Sequence, residues 1–150
     1  MIWTPDPARD PLDPASFALI AGSHERLVGR PLVPAGAGAA WLYHEAPFGI
    51  LAHDGGADPR FVYANVAAQT AFAYPWDRLV GLPSRLSAEP DDRDERRRLL
   101  DAVARDGFID DYRGRRVSRT GRRFWIDDAT VWNLLDEDGA RVGQAARFAV

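Results

Sequence analysis

At 150 residues, with 46% hydrophobic and 27% charged residues and a net charge of −3, the chain has the length of one domain and the composition of a folded rather than a disordered protein. Zero cysteines exclude disulfides, cysteine-ligated zinc or iron–sulfur clusters and a covalent cysteinyl–flavin adduct, and leave the identity of any other cofactor unknown. No run approaches the roughly 18 to 20 apolar residues of a membrane helix, and the start MIWTPDPARDPLDP lacks the basic and apolar regions of a signal peptide. The expected compartment is the cytoplasm, with no membrane partner, and the negative balance argues against nucleic acid as the main partner.

Residues 1–14 hold Pro5, Pro7, Pro11 and Pro14, and read as a flexible, extended arm that Trp3 tacks to the body. A helical extension follows over 15–46. Its first helix, 15–28, carries Phe17, Ile20, Ala21, His24, Leu27 and Val28 at three- and four-residue steps, the spacing of one buried face. AAWLYHE at 39–45 suggests a second, short helix. The remainder, 47–150, is a core of different grammar. PFGILAH at 47–53 and RFVYA at 60–64 flank the turn residues DGGADP, which predicts a β-hairpin. Asn65 stands where a helix N-cap is needed, ahead of VAAQTAFAY. Pro75 opens another helical turn through Leu79.

The segment 91–107 is the clearest helix, with acidic residues at its start, Gly107 at its end and Leu99, Leu100 and Val103 on its buried side. Asp92 with Arg96, Asp94 with Arg98 and Asp101 with Arg105 are spaced for ion pairs along it. Runs at 108–118, 122–134 and 141–149, separated by Thr120-Gly121 and by Asp136–Gly139, predict three antiparallel strands. The fold class is therefore α+β: two strands, a helical crossover and three strands forming one five-stranded antiparallel sheet, preceded by helices.

That order is the order of a PAS domain. The strings YANVAAQTAFAYPWDRLVGLPSRLSAEP, GFIDDYRGRRVSRTGRRF and VWNLLDEDGARVGQAARF, together with HERLVGRPL and LYHEAPFGILAH, resemble the MEKHLA domain, a PAS-related family, over roughly 15–148. The family occurs as stand-alone bacterial proteins and at the C-terminus of certain plant homeodomain–leucine-zipper proteins. The resemblance implies a PAS-like fold and a sensory or interaction role, with no established ligand or catalysis. No homeodomain segment is present to carry DNA binding over.

The candidate ligand site lies between sheet and crossover helices. Period-two alternation puts Phe124, Ile126, Asp128, Thr130 and Trp132 on one strand face, with Tyr63, Phe72, Trp76, Leu99 and Gln144 as further walls. The same residues read equally as packed core. His53, beside Asp54 and Asp58, invites a metal or general-base role, but no second histidine lies near it and turn chemistry accounts for the aspartates, so no metal site and no catalytic residue is expected. His24 reads as a core histidine, and His44 carries no distinguishing signal. The long helix has no histidine, which removes the position from which some haem-binding PAS domains ligate iron. The doublets Asp110-Asp111 and Asp127-Asp128 point to opposite strand faces and suit ion pairing better than acid–base catalysis. Arg113, Arg115, Arg116, Arg119, Arg122 and Arg123 form a basic hairpin, either a phosphate-binding patch or a solvated, edge-protecting surface.

Three functions remain. The first is a sensory or protein-interaction module that signals through a separate partner or through a homodimer across Phe17, Ile20 and Leu27. The second is a small lyase or isomerase on a cone-shaped α+β fold using His53 or Asp128. The third is a nucleic-acid accessory protein acting through the arginine hairpin.

Overall fold

Asp13 accepts hydrogen bonds from the amides of Ala15 and Ser16 at 3.4 and 3.3 Å, Pro14 occupies the first turn, and Gly29 closes the far end at φ 84°. These signals set helix α1 at Pro14–Val28 in the computed structural model, which describes residues 3–150. The stretch expected as an extended arm is instead two turns, Arg9 N to Asp6 O and Asp13 N to Asp10 O, both 3.0 Å. Asp6 and Asp10 accept from the amides two residues on, which curls the chain despite its prolines. Trp3 is buried in the main core, and Trp76 Nε1 donates to Pro7 O at 3.0 Å. Met1 and Ile2 of that stretch lie outside the described residues.

After α1, residues Trp41–Glu45 form a single wide turn whose closing bond runs from Ala46 N to Trp41 O at 2.9 Å. The hairpin β1 (Phe48–Asp54) and β2 (Phe61–Ala64) follows. Asp54 Oδ1 organises its turn by accepting from Gly56 N and Arg60 N. The crossover holds α2 (Val66–Phe72), α3 (Trp76–Leu79) and α4 (Arg93–Asp106), and then come β3 (Phe108–Val117), β4 (Arg123–Leu135) and β5 (Arg141–Ala149). The sheet is antiparallel in the order β2-β1-β5-β4-β3. The central pairing joins the two ends of the chain, with Leu51 opposite Ala146 and Ala52 opposite Ala145. Among the described residues no helix is long and apolar enough to cross a membrane.

Asn65 does more than cap α2. It is fully buried; its Oδ1 accepts from Ala68 N at 3.1 Å and Ile50 N at 2.9 Å, and its Nδ2 donates to Leu42 O and Phe48 O at 3.1 and 2.9 Å. One side chain thus ties the wide turn, β1 and α2 together with its hydrogen-bonding capacity satisfied.

The apolar stripe of α1 corrects the expected dimer contact. Ile20 is wholly buried, Leu19 nearly so, and Phe17 and Leu27 are partly buried against the same cluster as Trp132 and Leu134 of β4. Polar contacts fix the docking: Trp132 Nε1 donates to Ile20 O at 3.3 Å, and Leu135 N donates to Ser23 Oγ at 3.0 Å. The crossover helices cover only one sheet face, so α1 is used inside the protomer as the cover for the other.

Candidate functional site

Which face each β4 residue occupies is decided at Asp128. Asp128 has φ 49°, and Asp111, on the neighbouring β3, has φ 54°. The β3–β4 register shifts on both sides of Tyr112. A left-handed residue interrupts the two-residue repeat, so Ile126, Ala129 and Val131 share the α4 face whereas Thr130, Trp132 and Leu134 turn to the α1 face. The expected single face from Phe124 to Trp132 is therefore wrong beyond Ile126. Trp132 lies edge-on to His24 with ring centroids 4.8 Å apart, and Thr130 Oγ1 donates to Asp110 at 2.6 Å. Asp128 itself is exposed.

Beneath α4 is a small cavity of about 50 Å³ lined by Leu51, Phe61, Phe72, Leu99, Ile126, Val131 and Phe148 among others, with His53, Ser87, Arg96, Arg116 and Gln144 as its polar contributors. Of the predicted ligand residues, Phe72, Leu99, Ile126 and Gln144 are brought together here. Tyr63 and Trp76 are not: they form an aromatic group with Tyr43, with centroids 5.7 to 6.4 Å apart, because Tyr63 pairs with Ala52 on the α1 face. Phe124 stands behind Phe72, ring centroids 5.0 Å apart, and does not line the cavity. Gly49 lets the Phe148 ring lie across β1, where any Cβ would collide with it. The space takes a few waters or a short apolar chain; a haem or a flavin ring does not fit while the side chains stand as they do.

A polar row crosses the sheet under α4. His53 pairs with Gln144, and Gln144 with Asn133. Gln144 Nε2 donates to Leu100 O at 3.0 Å and to Asn133 Oδ1 at 3.2 Å, while Asn133 Nδ2 donates to Val103 O at 3.0 Å. These bonds hold the helix to the sheet. His53 Nδ1 donates to Asp54 O at 2.8 Å, which makes Nδ1 the protonated nitrogen of the neutral ring. Burial, reinforced by Arg96 and Arg141, lowers its pKa to about 4. His53 is thus neutral, and the pocket role of this residue was not expected.

Arg96 was expected to pair with Asp92 and was not expected at the cavity. It lies three residues before Leu99 and seven before Val103, so the same helical spacing places it on the buried stripe, and it is 8% exposed. Its expected partner Asp92 is taken instead by Arg115, at 2.9 and 3.2 Å. Arg105 pairs with its neighbour Asp106 rather than with Asp101. Arg116 is also buried; it donates to Arg115 O and to Tyr112 Oη, which in turn donates to Glu95.

The remaining candidates are structural. His24 Nδ1 contacts Arg30 O at 2.9 Å and burial lowers its pKa; His44 is exposed beside Tyr43. Asp110 pairs with Arg30 and Asp127 with Arg113. In the basic hairpin, Arg113, Arg115 and Arg123 pair with Asp127, Asp92 and Glu89. Arg119 and Arg122 donate to Ala73 O and Ala71 O at the C-terminal end of α2, where a cation is favoured. All six arginines, the buried Arg116 included, thus have partners within the chain. Among the described residues no cluster of three or more His, Asp or Glu forms a metal site.

The MEKHLA domain model matches residues 15–150. The chain belongs to the MEKHLA family. No curated protein matches it. Among solved structures, a PAS domain from Colwellia psychrerythraea is 18% identical with a TM-score of 0.62, covering 73% of this chain and 90% of its own. A cysteine-to-valine variant of the fungal photoreceptor VVD is also 18% identical, with a TM-score of 0.63 over 87% of this chain and 93% of its own. The light-oxygen-voltage domain of Aureochrome1 is 20% identical, with a TM-score of 0.54 over 67% and 73%. These similarities identify the fold of this MEKHLA domain as PAS-like.

Proposed function

We propose that this MEKHLA domain is a sensory module that takes a small ligand between its sheet and helix α4 and passes the change to a separate protein partner. The observation that carries the reading is the cavity beneath α4, where apolar side chains from β1, β2, α2, β4 and β5 surround a space that five buried polar side chains border. The other sheet face is closed by α1 with large side chains, so the two covers of the sheet differ in how completely they fill. A ligand entering beneath α4 meets the helix held by Gln144 and Asn133, which makes α4 the element that moves.

The supporting similarity is to sensory proteins of the same fold, among them two described as photoreceptors. The lyase reading loses its pair of catalytic candidates, since His53 is buried under α4 and Asp128 is exposed at the β4 irregularity. The nucleic-acid reading loses its unpartnered arginines. Native mass spectrometry with an absorption spectrum on the purified protein tests the proposal. A bound small molecule, released when Ile126→Trp fills the cavity, is the expected result; a ligand retained in that variant places binding elsewhere and defeats it.

A further inference from the structure

Arg96 is a charged side chain buried beside an apolar cavity with no carboxylate on it. Among the described residues it forms no ion pair and no hydrogen bond, and of the acids on its own helix turn Asp92 is taken by Arg115 and Glu95 accepts from Tyr112. Burial together with the neighbouring Arg116 disfavours the charged form of Arg96 and pulls its pKa down to about 9, against the opposing pull of Tyr112 and Glu95. Such a cost is offset when an anion arrives to pair with it.

The surroundings say where that anion sits. Arg96 borders the apolar cavity on one side, and on the other a wider cleft of about 290 Å³ that opens between the β1–β2 turn and α4. His53, Leu100 and Gln144 border both as well. Arg93, Arg97 and Arg141 add positive charge to the cleft, opposed by Asp94 and Asp101, while Arg85 is paired with Asp58. The charge is deepest at Arg96, which is buried where Arg97 and Arg141 are exposed.

We propose that Arg96 anchors the head group of a small amphiphilic organic anion, a carboxylate or a phosphate monoester, whose apolar end enters the cavity among Leu51, Phe72, Ile126 and Phe148. This rests on the reading of that cavity as a ligand pocket and adds the chemical class of the ligand. The planar guanidinium suits either head group through paired hydrogen bonds, and the small apolar space selects a short chain over a long one.

Calorimetric titration of the full chain with hexanoate, hexyl phosphate and 1-hexanol at fixed ionic strength tests this. At least one of the two anions binds with a Kd roughly tenfold or more below that of hexanol, and the one that does names the head group. In R96M that anion falls to the affinity of hexanol while hexanol itself is unaffected, and R96Q, which keeps a polar side chain, shows the same loss. Circular dichroism verifies the fold of both variants. R97A, on the rim, changes the anion's Kd by no more than roughly twofold, as expected for an exposed charge. Hexanol binding as tightly as both anions overturns the anchor and leaves the pocket standing. A loss in R97A rather than R96M moves the anion to the surface and also overturns it. Failure of all three probes to bind removes the pocket and the anchor together.

Discussion

The two faces of the sheet are built on different terms. Against α1, Trp132, Ile20, Leu134 and Leu42 are at most 1% exposed, and Ser23 Oγ and Trp132 Nε1, which dock the helix, have partners. Against α4, the packing stops short of closing, and Arg96, Arg116, His53 and Gln144 stand buried among apolar groups. A face optimised only for stability excludes unpaired charge. The contrast therefore assigns stability to the α1 face and adaptability to the α4 face.

Substitutions break that contrast at different strengths. Trp132→Ala, in the dense face, leaves a large void and lowers unfolding free energy by about 3–5 kcal/mol in a denaturant titration. A smaller loss would mean that α1 collapses readily into the gap and that the face is less tightly specified than its burial implies. Asn65→Ala, which removes the residue joining both halves, strips partners from the buried Ile50 and Ala68 amides and the Leu42 and Phe48 carbonyls and costs about 3 kcal/mol. Asn65→Asp restores the acceptor half of that loss but not the donor half.

The polar face responds to acid. The folded-state pKa of His53, about 4, lies below the ordinary histidine value of 6.5. Its neutral, buried state therefore contributes full stability above pH 6.5. As pH falls from there towards 4, the unfolded chain takes up a proton that the folded chain refuses, and up to about 3 kcal/mol is lost. Thermal melts across this window should fall less steeply for His53→Gln than for the parent. Asp13 and Asp110, whose pKa values are depressed by hydrogen bonds from Ser16 and Thr130, contribute their own loss only at lower pH, so the two effects separate. Smallest is Asp128→Val. Valine favours strands, yet at φ 49° its branched Cβ costs about 1–2 kcal/mol. A neutral outcome would show that the backbone can resume its alternation and that the division of faces is not anchored there.

Local signals made much of the architecture legible. Gly29, Asn65 and Gly107 marked helix ends because capping is a contest among groups a few residues apart. The turn residues at 54–59, 120–121 and 136–139 marked the hairpin reversals for the same reason. The candidate site was legible only in part. Phe72, Leu99, Ile126 and Gln144 do border one cavity, but Thr130 and Trp132 were placed on the wrong face because an aspartate in a strand does not announce a left-handed conformation. Arg96 was passed over because its spacing to Leu99 and Val103 was read as charge pairing with Asp92 rather than as burial. The α1 stripe was assigned to a second copy because its cover could be found only once β4 had a face to offer.

The order of helices, turns and strands and the capping role of Asn65 were properties of the chain itself, since each depends on neighbours along the backbone. The partner of Asp92, the orientation of Trp132, the burial of Arg96 and the surface that α1 covers were settled only when distant segments met. In each of those cases several residues competed for one partner or one face, and the outcome depended on distances that exist only in the folded molecule.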